Sequence, residues 1–179
     1  MPSSMSHNSA SPVPGRVASV LLWLLVVFVG VQFGAGLYEK IVVVPLWDGV
    51  PPRDVLPAME RSGMYNAGRA FWPFVSPVVA LLAVANIVAW RGNRANRRWV
   101  LAAGITMLGY AIFSYSYFVP QMLMLQSSAG SWPESKISVT VQWWTSLNYL
   151  RMLLGAAGWF CALRALSLAA ASNGRGYGG

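Results

Sequence analysis

The run from Gln142 to Leu166, QWWTSLNYLRMLLGAAGWFCALRAL, sets the terms for the whole chain. At about 1.5 Å per residue, a helix of these 25 residues crosses the roughly 30 Å hydrocarbon core of a bilayer. Yet Asn148 and Arg151 sit inside the apolar run. A charge within a membrane span costs on the order of 3 kcal/mol or more, so it faces other helices or a wet cavity and takes a partner there. A lone helix in lipid offers neither. The chain is therefore expected to form a bundle whose other helices enclose this one.

Composition agrees. Of 179 residues, 56% are apolar and only 10% charged, with a mean hydropathy of +0.50, which is too apolar and too charge-poor for an ordinary soluble domain. The net charge of +8 would point to nucleic acid in a soluble protein, but here the basic residues stand between apolar runs and not along one face. Nucleic acid is not an expected partner; the lipid bilayer is. Cys161 is the only cysteine and lies within the last apolar run, which rules out an intrachain disulfide and the thiol-pair redox chemistry of quinone-linked oxidoreductases. His7 is the only histidine, so the usual haem, zinc and carboxylate-histidine di-iron sites cannot be built, and neither metal nor cofactor is expected.

Four spans follow from the apolar runs, at about 17–38, 72–90, 99–120 and 143–166, within a membrane domain covering 16–168. The Ser- and Pro-rich residues 1–15 read as a disordered tail, and 169–179 as a flexible one. A cleavable signal peptide is the rival reading of the first run, but that run exceeds a typical signal core. Phe71, Trp72 and Trp90 read as interfacial anchors. The segment Glu39–Ala70 holds four of the five acids and reads as an ordered loop packed on the membrane surface. It has a β-prone run at Ile41–Val44 and a short helix capped by Asp54 and ending near Gly63. Residues 127–136 read as a polar turn.

Arg16, Arg91, Arg94, Arg97, Arg98, Arg164 and Arg175 fall on one side of this topology, against Lys40, Arg53, Arg61, Arg69 and Lys136 on the other. Four of the seven crowd one short loop, where the positive-inside rule weighs most. The expected protein is an all-α, multi-pass, four-transmembrane-helix bundle with both termini cytoplasmic and the acidic loop extracytoplasmic.

Polar residues then align by depth. Arg151 lies roughly 10 Å below the Trp143–Trp144 rim, on one helical face with Trp144 and Asn148. Tyr110, Ser114, Tyr117 and Gln121 recur at intervals of four, three and four, one face of an α-helix. Gln32 and Glu39 share a face of the first span, beside Tyr38. Polar stripes on three spans must face one another to escape lipid, and together they outline an outward-opening pocket for a hydrophobic aromatic molecule. Hydrogen bonding between helices, at about 0.6 kcal/mol on average, is the plainer use of the same residues. Gly30 and Gly34 make a G-x-x-x-G pair, and Gly155 and Gly158 flatten the fourth span; neither pair specifies an oligomer. No role falls to Phe33, Trp47 or Trp132.

Four stretches carry a resemblance: GAGLYEKIVVVPLW after the first span, RAFWPFVSP opening the second, YFVP closing the third, and W-x3-N-x2-R through Trp144, Asn148 and Arg151. Over roughly 17–168 the chain resembles the anthrone-oxygenase-like family of four-helix membrane proteins. Its fungal members oxidise anthrones to anthraquinones without a recognised metal or flavin, and most bacterial members have no described activity. The resemblance implies a bacterial plasma-membrane protein with Asn148 and Arg151 as family positions. It also implies an alternative function, a cofactor-independent oxygenase: Glu39 or an ionised tyrosine removes a substrate proton while Arg151 and Asn148 hold the enolate. Pro120-Gln121 departs from the family's Pro with a nearby Asn. A non-catalytic structural or transport-associated membrane protein is the remaining alternative, although no inverted repeat is evident.

Overall fold

The computed structural model describes residues 13–89 and 94–174. The expected N-terminal tail lies almost wholly outside these residues, as do His7, Trp90, Arg91 and Arg175. Every element among the described residues is helical. The long ones are α1 (Val13–Tyr38), α3 (Met64–Ala89), α4 (Arg94–Phe113) with its continuation α5 (Val119–Ser128), and α6 (Glu134–Gly174); α2 (Val55–Arg61) is a short helix in the loop after α1. Four segments are long and apolar enough to cross a membrane: Gly15–Leu46, Met64–Ala89, Asn96–Ser131 and Glu134–Ala171.

The four pack as an up-down-up-down bundle in which α1 neighbours α3 and α6, and α4 neighbours the same two helices. Val79, Ala83, Val100, Ala103, Met107, Ala162 and Ala165 close on Leu22, Leu25 and Val29 in the half that carries the termini. Small residues let the backbones approach: a Cβ on Gly104 would lie 2.6 Å from Ile87 Cγ1, and one on Gly158 would collide with Met107 Sδ. Gly30 meets Trp159, whereas Gly34 faces open space, so the G-x-x-x-G pair does not form a single packing surface. Outward-facing residues are largely apolar, among them Val20, Val27, Phe74, Leu81, Ile105, Ile112, Leu153 and Phe160, as a bundle immersed in hydrocarbon requires.

A second core sits at the opposite, distal end. Val44, Trp47, Val55, Ala58 and Met59 of the α1–α3 loop bury against Phe118, Leu125, Ile137, Val141 and Trp144. The loop is thus a lid with an apolar underside. Trp47 is fully buried at its centre, packed on Trp144 at 5.6 Å between ring centroids. Trp132 lies beneath the Lys136 ammonium at 3.8 Å.

Several boundaries differ from the sequence reading, each for a physical reason. Ile41–Val44 is not extended: α1 widens into a π-helical turn over Glu39–Val43 and tightens into a 3₁₀ turn, Val44–Leu46, entered by Pro45. The short helix forms, but the Asp54 side chain makes no capping hydrogen bond. Gly63, at φ 74°, turns the chain directly into α3. This helix therefore starts several residues before Phe71, its first turns covering Met64 in the distal core. Helix α6 has 41 residues, about 60 Å of helix, because Ile137 and Val141 extend it to pack under the lid, and its other end runs through most of the expected flexible tail.

Candidate functional site

Between the two cores lies a cavity of about 470 Å³. Its walls come from the first four turns of α3, from α4–α5 between Tyr110 and Gln126, and from Glu39, Trp144 and Arg151. Most of this lining is apolar, including the faces of Trp72, Phe118 and Trp144.

The polar floor is a cluster around Arg151. Its side chain is 7% exposed and that of Glu39 13%, and Nη2 donates to Glu39 Oε1 at 3.4 Å. Trp72 Nε1 donates to the other carboxylate oxygen at 2.7 Å. Three rings surround the guanidinium, with centroids at 4.6 Å (Phe118), 5.3 Å (Trp72) and 5.9 Å (Trp144), all within cation–π range. Negative π faces thus share with one carboxylate the work of solvating a fixed positive charge. Among the described residues neither Arg151 Nε nor Ser114 Oγ has a hydrogen-bond partner, and both atoms are buried.

Two departures from α-helical geometry place these groups. Glu39 opens the π-helical turn that ends α1, and a second such turn, Ser114–Phe118, interrupts the third span. An extra residue per turn rotates everything beyond it. Tyr110 and Ser114 face inward as the sequence spacing predicts, but the face then passes to Phe118 and Met122 in place of Tyr117 and Gln121. Such turns are frequent at functional sites, because they shift side-chain direction without ending the helix.

Of the residues singled out from sequence, the structure brings Glu39, Tyr110, Ser114, Trp144 and Arg151 to the cavity. Tyr38 is 63% exposed on the outer surface of α1. Tyr117 stacks on Phe113 outside the lining, and Gln121 is also outside it. Asn148 and Gln32 are buried but do not line the cavity; both polar atoms of Asn148 and Oε1 of Gln32 lack partners.

Sequence reading missed the wall supplied by α3: Tyr65, Arg69, Trp72, Pro73 and Ser76. Trp72 had looked like an interfacial anchor, since composition cannot distinguish an indole at a headgroup from one bonded to a buried carboxylate. Among the described residues no three His, Cys, Asp or Glu side chains group as metal ligands would. No protein-family model, curated protein or solved structure matches the chain.

Proposed function

We propose that this multi-pass membrane protein binds a flat hydrophobic molecule bearing one or two oxygens, held in the cavity with an oxygen directed at Arg151. The observation that carries the proposal is a buried, ring-enclosed arginine, paired with Glu39, in the wall of a largely apolar cavity that Ser114 also lines. Small-ligand sites have this form: apolar walls give affinity, and a few fixed polar groups give orientation. The volume also falls within the roughly 300–1,000 Å³ of such sites. The excess of basic residues beside the termini supports a plasma-membrane orientation in which the cavity lies in the outer half.

Matched aromatic pairs, with and without a hydroxyl, titrated against the fluorescence of Trp72 and Trp144, test the proposal. Arg151→Leu is expected to weaken the hydroxylated member about tenfold or more and its oxygen-free partner little, as the loss of a hydrogen bond to a charged group implies. Ser114→Ala, a smaller change, is expected to weaken the same member less. Equal weakening of both members by both variants would leave Arg151 a purely structural role.

A second reading, the anthrone-type oxygenase, is favoured by one contact: an acid and a fixed cation, Glu39 and Arg151, meet beside a largely apolar, aromatic-lined cavity. The acid would take the acidic ring proton, the cation would hold the enolate oxygen, and the carbanion would react with dioxygen. Each Glu39 oxygen accepts one hydrogen bond and keeps a further lone pair with which to take a proton. Dioxygen uptake matched by anthraquinone formation with purified protein tests this reading. Binding without uptake leaves the first reading and removes the second.

A further inference from the structure

The position of the cavity mouth bears on which molecules can reach Arg151. On one side the rim is Tyr115, Val119 and Leu123, and on the other Pro73 and Gly68. The first three are exposed on the outer surface of the third span, with Leu123 at 52%, and Pro73 is exposed on the second. Helix α3 packs closely against α4 in the half carrying the termini, but it does not pack extensively against α5, and the mouth is the gap between them. At the distal end of this gap Arg69 Nη2 donates to Gln126 Oε1 at 3.4 Å, a polar lintel over an apolar opening. From Tyr115 to Gln126 the opening runs about 17 Å along the third candidate span, Asn96–Ser131.

We infer that the cavity fills sideways from the bilayer, and that its ligand is an amphiphile: an aromatic head with an acidic hydroxyl at Arg151 and Ser114, and an apolar tail that leaves between α3 and α5 into the lipid. The inference rests on the ligand-binding reading above and adds the route and the tail. Three observations combine. Pro73, Tyr115 and Val119 of the rim are exposed on helices long and apolar enough to cross a membrane, so that part of the opening meets lipid, while Arg69 and Gln126 mark its polar distal end. Glu39, Ser114 and Arg151 line the cavity together, so its polar part is at the ion pair, which takes the head. The lid closes the distal end of the bundle with a packed core of Val44, Trp47 and Met59, which leaves the side as the open way in.

A tail already dissolved in lipid gains almost nothing by staying there, whereas one forced into a closed cavity would outgrow about 470 Å³. The test uses the full chain in lipid nanodiscs, with 2-naphthol and its hexyl and dodecyl derivatives as probes. Dissociation constants are expressed as mole fractions in the bilayer, so that the roughly fourfold gain in partition per methylene is removed. The three constants are expected to agree within about twofold, since the tail's surroundings do not change. Leu123→Trp, which adds bulk at the rim of an exposed position, is expected to slow association of all three by about tenfold. Progressive loss of binding with tail length, or an unchanged association rate in Leu123→Trp, would overturn lateral access while short naphthols still bind. Equal competition by dodecane would show an acyl-chain groove and overturn the oriented head. Absence of binding by every naphthol removes the ligand-binding reading itself, and this inference with it.

Discussion

Replacing Glu39 and Arg151 by glutamine, singly and together, probes the contact on which the site depends. At 3.4 Å and an effective dielectric near 20, two unit charges attract by about 5 kcal/mol. The net value is smaller, because one N–H···O contact of that length is looser than the roughly 2.7–2.9 Å of a good charge-assisted bond, and the three rings solvate Arg151 whether or not Glu39 is present. A coupling of about 1–3 kcal/mol is expected. The single changes should not be equal. A stranded carboxylate can take up a proton, whereas a guanidinium cannot lose one, so Glu39→Gln strands the harder charge. It is expected to cost about 3–5 kcal/mol, and Arg151→Gln less. Equilibrium unfolding in mixed micelles, followed by far-ultraviolet circular dichroism, measures all four proteins without relying on tryptophans beside the mutated residues. Costs that add to within about 0.5 kcal/mol would show that the two charges do not interact, and the reasoning from the buried ion pair would be refuted.

Reporter fusions test topology: one after Gly92 is expected to remain cytoplasmic and one after Ser131 to be exported, and the reverse result would turn the bundle over. Gly104→Ala forces a methyl to within 2.6 Å of Ile87 Cγ1 and 3.3 Å of the Ala83 carbonyl, so a loss of about 1–3 kcal/mol is expected on unfolding in micelles. Gly34→Ala meets no atom within 4 Å and is expected to be neutral or to gain up to about 1 kcal/mol, and a large loss there would point to a helix partner on that face of α1.

The four spans were legible because bilayer thickness fixes the length of an apolar run, and Arg151 because a charge in such a run needs an explanation. Glu39 was legible as the acid at a span end able to lean inward. What could not be read was the phase of each helix after a π-helical turn. Tyr117 and Gln121 were assigned to the pocket face by an unbroken count at α-helical spacing, and the turn Ser114–Phe118 passes that face to Phe118 and Met122. Nothing in SYSYF announces the extra residue, because the turn is held by how Phe118 packs against Trp144 and the lid, which is tertiary information. The α3 wall escaped for a related reason. Met64–Ala70 is too polar to read as part of a span, and becomes helix by packing below the lid.

Among the described residues nine buried polar atoms have no partner, Asn86 Oδ1 among them, and those of the polar stripe fall into two groups whose division bears on whether the stripe is only glue. Asn148 is fully buried and Gln32 nearly so, both away from the cavity, where an amide without a partner is a net cost that a single ordered water could relieve. Ser114 Oγ and Arg151 Nε belong to side chains of the cavity wall but are themselves covered, so a ligand reaches them only once those side chains turn. Glue would place Arg151 where its donors meet carbonyls of adjacent helices, as Asn86 does by donating to Leu21 of α1, besides Leu82 of its own helix. Arg151 instead meets one carboxylate at long range and three ring faces, which neutralise charge without using up its donors. Asn86 shows that this bundle can tie helices together with a neutral amide, at a modest cost in lipid. A permanently charged side chain with unused donors adds little to that task, and what it adds in full is an electrostatic anchor for an oxygen inside an apolar cavity.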